Sequence, residues 1–492
     1  MKSRLGSVCL LLILAIQPFS HAVLAQTLPS DKTGSDPISL VENSLLPAVL
    51  IKGEPVSTMN LAERMKHYNV KGVSVAVINN GKIEWAKGYG VRDVDGNLPV
   101  TVDTIFQAGS VSKPVAAMAA LKMVQDGKLS LDQDVNLKLV SWKMPDNEFT
   151  TEQKVTLRGL LSHSAGTSIW GFGGYPADSK SLPTVPQILD GSAPANTKPV
   201  RVVERPGTKW SYSGGGFTVM QLLLTDVSKK PFPELMDETV LKKLDMKHST
   251  YQQLLPPDLL AYAAIGYAPN GQRPPFKWFI HPEMAAAGLW TTPSDLARFA
   301  IELQQAYAGK SKKILSREMV KQMLTKQTGG WGLGITVIGD GPKALRFSHG
   351  GANTGFRTRL LAYASTGQGA IVMTNGEQGD ALCAEILRGI AKVYGWADYL
   401  AEKTIAQVDV QKFGDYAGDY EFNGVKYSIL IEDGKLIVKN PNGAKFELLA
   451  ESETKFFLRE RAAEFVFVKD ASGRVTELVL YSNGQELKFK KL

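Results

Sequence analysis

The chain has 492 residues, 44% hydrophobic and 21% charged, with a formal net charge of +8 at pH 7. That length predicts two or three domains, and the composition excludes a fibrous or disordered protein. The positive charge is spread along the chain without a basic stripe, which argues against a nucleic-acid partner.

Residues 1–25 read as an export signal. Lys2 and Arg4 precede an apolar run at 8–16, and the small residues Ala22 and Ala25 follow. The run is too short to cross a bilayer and no later segment is longer, so the expectation is an exported protein, periplasmic or secreted, without a stable membrane anchor. Cys9 falls in the signal. Cys383 then stands alone, an intramolecular disulfide is excluded, and its neighbours read as a helix face around a buried, inert thiol.

Residues 26–57 read as a polar, proline-bearing leader. A helix is predicted over 60–68, then a β-hairpin over 73–78 and 83–90 about Asn79-Asn80-Gly81-Lys82. A long helix follows Ser110, with Val115, Met118, Ala119, Leu121 and Met123 on its apolar side. Pro114 lies in its first turn and Gly127 is its C-cap. Segments 217–227, 292–305 and 382–394 read as helices, and 360–363 and 370–374 as strands. This is an α+β pattern whose sheet is assembled from both ends of the segment. From about residue 413, short alternating strands are punctuated by Asn423-Gly424, Asp433-Gly434, Asn442-Gly443, Ser472-Gly473 and Asn483-Gly484, the pattern of a small antiparallel barrel or sandwich.

Ser110-Val111-Ser112-Lys113 places a hydroxyl and an amine three residues apart at a helix start, so that both face the same way. An amine so placed can take the hydroxyl's proton, the minimal layout for a serine nucleophile without a histidine base. The plain alternative is an N-cap serine. Ser452-Glu453-Thr454-Lys455 has the same spacing but lies in the strand-rich tail with no helix after it. Two further pieces favour chemistry. Arg205-Pro206-Gly207-Thr208-Lys209-Trp210-Ser211-Tyr212-Ser213-Gly214 sets a tyrosine before a glycine-rich helix start, where its hydroxyl can relay protons if cations lower its pKa. Phe347-Ser348-His349-Gly350-Gly351-Ala352-Asn353-Thr354-Gly355-Phe356-Arg357 sets glycines where a strand must approach a ligand closely.

In this order and spacing the three pieces resemble the serine β-lactamase and penicillin-recognising family, which includes class C β-lactamases, D-aminopeptidases, D-Ala-D-Ala carboxypeptidases and class VIII esterases. Leu160-Leu161-Ser162-His163-Ser164-Ala165-Gly166, Ala286-Ala287-Gly288-Leu289-Trp290-Thr291-Thr292 and Gly332-Leu333-Gly334 support it, over about residues 61–396. The resemblance implies a β-lactamase-like α/β (α+β) fold, an antiparallel sheet flanked by helices, over 58–400, and a C-terminal all-β lipocalin-like barrel over 413–492. It implies Ser110 as nucleophile, Lys113 as the base and Tyr212 as the proton relay. His349, Gly350 and Gly351 stand at the family's Lys-Thr-Gly strand, with backbone N–H groups of Ser110 and Ala352 as oxyanion donors, each supplying ~3–4 kcal/mol. It implies no cofactor or metal.

Two departures bear on substrate. Gly214 stands where the family usually has an asparagine that binds an acyl-amide, and His349 stands for lysine. Both weaken recognition of β-lactams more than attack on a simple ester. Histidine would supply a cation only below about pH 6.5, with Arg357 or Arg359 as a substitute. The stretch Trp170-Gly171-Phe172-Gly173-Gly174-Tyr175 could form an apolar lip or a rigid surface loop. The expectation is an exported serine hydrolase of small-molecule or short-peptide substrates, esterase or D-amino-acid peptidase before β-lactamase, with a little-turnover penicillin-binding-like protein as the alternative. Homo-oligomers are compatible with it.

Overall fold

The computed structural model describes residues 36–482 and 485–492. The expected signal and the Asn483-Gly484 turn lie outside the described residues. The elements in chain order are α1 (Pro37–Glu42), β1 (Val49–Ile51), α2 (Leu61–His67), β2 (Gly72–Asn79), β3 (Lys82–Asp93), β4 (Leu98–Pro99), α3 (Ser112–Gln125), α4 (Gly214–Ser228), α5 (Pro293–Tyr307), β5 (Thr336–Ile338), β6 (Arg346–Asn353), β7 (Phe356–Tyr363), β8 (Gly369–Thr374), α6 (Gly379–Val393) and β9 (Ala401–Lys403), with shorter pieces between.

Seven strands form one antiparallel sheet in the order β4-β3-β2-β8-β7-β6-β5. The N-terminal hairpin meets the C-terminal meander at β2 and β8, where Val75 faces Val372. Strand β2 is buried from Gly72 to Ile78 because both of its faces are covered. Val73, Val75 and Val77 pack with Leu382, Ile386 and Ile390 of α6, while Ala76 and Ile78 face the core shared with α3, α4 and α5. The hairpin turns through Asn80 and Gly81 at φ 52° and 71°, the left-handed pair a two-residue loop requires. Helix α4 starts at Gly214, three residues before the sequence reading places it, because the Ser213 hydroxyl accepts the Gly216 N–H and draws the glycines into the first turn. Cys383 is buried in α6 and burial pushes its thiol pKa up, the inert thiol expected.

The segment read as a plain leader is part of the fold from Pro37 onward. Leu45 and Leu46 are fully buried, and β1 pairs in parallel with β9. Its apolar residues are too few and too scattered to show a period, and their partners lie far along the chain: Val49 pairs with Ala401, 352 residues on, and packs on Phe457.

The tail consists of β10 (Gly418–Phe422), β11 (Val425–Glu432), β12 (Lys435–Lys439), β13 (Lys445–Glu447), β14 (Leu449–Ala450), β15 (Lys455–Phe457), β16 (Ala463–Lys469), β17 (Val475–Ser482) and β18 (Gln485–Lys491). They form a nine-stranded antiparallel sheet whose edges, β13 and β14, are separated in the chain by Leu448 alone, so the sheet curls into a nearly closed barrel. Its interior is filled by Tyr416, Tyr420, Phe456, Phe465, Phe467 and Phe489. The barrel rests on β1, where Ala48, Val49 and Ile51 pack on Phe457 and the Val49 N–H donates to the Arg459 carbonyl at 3.0 Å. A cavity of about 530 Å³ separates its Phe446 and Arg461 from Arg64 of α2 and Glu385 of α6. These contacts lie on the α6 side of the sheet, opposite α3.

Candidate active site

Ser110 sits in a single 3₁₀ turn, Gly109–Val111, that leads into α3. The turn and β6 meet backbone to backbone. A Cβ on Gly109 (φ 53°) would lie 2.6 Å from the Ala352 nitrogen, and one on Gly351 would lie 1.9 Å from the Ala108 carbonyl oxygen. Only glycine fits either position. Buried hydrogen bonds hold the turn. The Ala108 N–H donates to the Leu289 carbonyl (2.8 Å), Ser112 Oγ donates to the Gly109 carbonyl (2.6 Å), and Tyr251 Oη donates to the Ser112 carbonyl (2.8 Å). The Asn353 amide on β6 donates to Gln107 Oε1 (2.8 Å), tying the strand to the segment before the turn.

In the first turn of α3, three residues after Ser110, Lys113 is 2% exposed. Its Nζ lies 3.0 Å from Ser110 Oγ and donates to the Ala286 carbonyl at 2.9 Å. Among the described residues no acid pairs with it. Burial alone lowers its pKa to about 7, so near neutral pH much of it is a free amine. Lys455, in the decoy Ser-x-x-Lys, is the physical opposite. Glu464 and Glu451 bind it in the barrel and hold its pKa above the usual lysine value.

The Tyr212 hydroxyl is in hydrogen-bond reach of Ser110, and its ring lies 4.9 Å from Lys113 Nζ. The expectation that cations lower its pKa is corrected. Burial raises it, against the bond from Ser110, so the phenol stays protonated. Ser110, Lys113 and Tyr212 therefore share one hydrogen-bonded cluster of a hydroxyl, a neutralisable amine and a phenol.

Strand alternation places His349 and Gly351 on the face of β6 toward this cluster. His349 Nδ1 donates to the Gly350 carbonyl at 2.6 Å, which leaves Nε2 as the lone-pair nitrogen of a neutral ring. Burial, aided by the Lys113 charge, lowers its pKa to about 3. The expected cation below pH 6.5 is thus corrected, because a ring this buried does not take a proton there. Arg357 and Arg359 do not replace it either. They pair across from Ala352 and Gly350, whose side-chain positions point to the α6 face. There Arg357 lies 3.5 Å from Glu377, and Arg359 binds Asp380 through Nε (2.9 Å) and Nη2 (2.8 Å). Gly350 shares that face; its Cβ would lie 3.0 Å from Arg359 Nη1.

The sequence reading missed the aromatic wall. His163, which entered only within a supporting landmark, stacks its ring 4.3 Å from that of Tyr212 and accepts the Ser213 N–H on Nδ1 at 3.1 Å. Trp331 stands 4.7 Å from His163, 5.2 Å from His349 and 5.9 Å from Trp210. The glycines flanking Trp331 were the only signal. Glu283, just before the Ala286 landmark, is fully buried, no other described residue bonds either of its carboxylate oxygens, and burial, against its own backbone N–H, raises its pKa to about 7.

A serine and a lysine in contact at the start of a buried helix, against strand β6 of an antiparallel sheet, define a penicillin-recognising type of serine hydrolase. The family profile described as Beta-lactamase matches residues 59–395, and the chain belongs to that serine β-lactamase and penicillin-binding protein family. It is 24% identical to Protein flp of Staphylococcus aureus (strain MW2) over 318 residues, 62% of this chain and 60% of that protein. The chain thus spans about 60% of the length of the first curated relatives it matches. It is 22% identical to Penicillin-binding protein 4* of Bacillus subtilis (strain 168) over 84% of this chain and 93% of that one. The octameric penicillin-binding protein homologue from Pyrococcus abyssi shares the fold with a TM-score of 0.59, at 20% identity over 87% of this chain and 98% of that one. So does SurE, crystallised with D-Leu, with a TM-score of 0.55 at 20% identity over 88% and 97%. Among the described residues no helix is long and apolar enough to cross a membrane.

Proposed function

We propose that this family member cleaves esters or amides through an acyl-Ser110 intermediate, and the observation that carries the reading is the 3.0 Å approach of Lys113 Nζ to Ser110 Oγ by an amine that burial holds near pKa 7. The free amine of Lys113 takes the Ser110 proton as Oγ attacks the acyl carbon. Ser110 and Ala352 N–H groups receive the oxyanion. The leaving group takes its proton through Tyr212, which stays a phenol and passes one proton on as it gains another. Water admitted beside Tyr212 then hydrolyses the acyl-enzyme.

Ester or D-amino-acid peptide substrates are favoured over β-lactams. Neither His349 nor Arg357 presents a cation to hold a β-lactam carboxylate, and Gly214 offers no amide. The D-Leu bound to the neighbouring SurE structure supports the D-peptide branch of this reading. The protein acts after export and cleavage at residues 1–25. Residues 58–400 are the catalytic domain and 413–492 an accessory barrel. The barrel contacts described lie away from Ser110, which favours a part in assembly, in keeping with the octamer of the Pyrococcus homologue.

The test is turnover of p-nitrophenyl butyrate, a D-alanyl peptide and nitrocefin by wild type and Ser110→Ala. The reading requires ester or D-peptide turnover that vanishes in the variant. Labelling by a fluorescent penicillin that is never released would instead support a binding protein.

A further inference from the structure

The loop that reaches Tyr212 from the other side is held under backbone strain. Ile169 has φ 66°, a region a β-branched residue rarely occupies. Two bonds to the start of α4 fix the reversal. The Gly215 N–H donates to the Ile169 carbonyl and the Gly214 N–H to the Trp170 carbonyl, each at 3.0 Å. The reversal sets the Trp170 ring 5.3 Å from that of Tyr212, with the residue 73% exposed. The strained reversal thus holds a tryptophan ring beside Tyr212 with its other face open to a substrate.

Gly214 shows which part of the substrate meets it. A Cβ at Gly214 would lie 3.1 Å from both Phe172 Cε2 and the Trp170 carbonyl oxygen. An asparagine side chain does not fit there without moving the loop. The position from which family members bind an acyl-amide is thus closed in by the Trp170 carbonyl and the Phe172 ring.

We infer that Trp170, backed by Phe172, is the acyl-group binding wall of this enzyme and selects substrates with a flat apolar acyl group, such as an arylacetyl ester, over small or polar acyl groups. This rests on the acyl-Ser110 reading and adds the substrate class to it. The exposed face of Trp170 packs against the acyl substituent while the carbonyl stays at Ser110. Small acyl groups leave the ring in water and gain nothing from it.

The experiment compares p-nitrophenyl phenylacetate with p-nitrophenyl acetate on wild type, Trp170→Ala and Trp170→Phe. Trp170→Ala is expected to lower kcat/KM for the phenylacetate about tenfold and for the acetate by less than about threefold, with Trp170→Phe restoring most of the loss. Binding is read separately by calorimetry in the Ser110→Ala background, where adding Trp170→Ala should weaken the Kd for the phenylacetate about tenfold. Equal losses for both esters, or an unchanged Kd, would overturn the inference. Turnover that survives Ser110→Ala would overturn the acyl-Ser110 reading instead and leaves the binding measurement to decide on Trp170.

Discussion

His349 donates its Nδ1 proton to the carbonyl of Gly350, its own neighbour on β6, at 2.6 Å. That bond fixes the tautomer, and burial does the rest. With its pKa lowered to about 3, the ring is neutral across the range in which histidine ordinarily switches. Lys113 itself charges over this range, so the test is made in Lys113→Ala, where a ligand bearing a carboxylate should show no gain in affinity between pH 7 and pH 5 beyond that of an uncharged ester. Kd values for a matched pair of ligands across this range check it. A carboxylate-specific improvement with a midpoint near 6.5 in that variant would mean that His349 charges after all.

The base role proposed for Lys113 requires the unprotonated amine, and its pKa is lowered to about 7. The sign follows directly. Above that pH the amine is free and activity is level; below it kcat/KM for an uncharged ester falls about tenfold per pH unit. Lys113→Ala should cost about 10²- to 10⁴-fold and remove this acid limb. A profile flat from pH 5 to 9 would count against the assignment.

The sheet and its two covering layers were legible in the sequence because they rest on local signals. Asn80-Gly81 marks a hairpin, and the apolar residues after Ser110 recur at helical spacing. The nucleophile–amine pair was legible for the same reason, since three residues on a helix is a local distance. What depended on long-range burial was not. The sequence offered His349 as a switchable cation, and nothing near it in the chain reports that Trp331 and Lys113 surround it. Arg357 was misjudged because one residue of strand register decides which face a side chain takes. Tyr212 was expected to have a lowered pKa because its cationic neighbour was visible and its burial was not. The strap at Val49 and the ring wall around Tyr212 come from residues far apart in sequence.

Glu283 is fully buried, no other described residue bonds its carboxylate, and its pKa is raised to about 7. The folded state thus holds a proton that the unfolded chain, at the ordinary glutamate value, has lost. Its contribution to stability is present below pH 4.5 and is lost as pH rises toward 7. Glu283→Gln should be more stable than wild type at pH 8 by about 1–3 kcal/mol and little different at pH 4.5. Urea unfolding of both proteins at the two pH values measures it. Equal differences at both would place a compensating cation beside Glu283.

Gly351 leaves no room for a side chain beside the Ala108 carbonyl. Gly351→Ala must push β6 away from the turn that holds Ser110, opening the gap between the two proposed oxyanion donors, the Ser110 and Ala352 N–H groups. A loss of at least about 100-fold in kcat is expected for a misplacement of this kind, with KM less affected. Steady-state kinetics on a variant shown by circular dichroism to be folded gives the answer. Wild-type kcat in such a protein would remove Ala352 from the oxyanion site.

Acyl transfer to Ser110 is tested most directly by trapping it. The protein is mixed with a slowly hydrolysed p-nitrophenyl ester, quenched in acid within the first turnover, digested and mapped by mass spectrometry. The acyl mass should appear on the peptide carrying Ser110, at up to one per chain, and be absent from Ser110→Ala. An acyl group mapped to any other residue, or full turnover by the Ser110→Ala protein, would contradict the account.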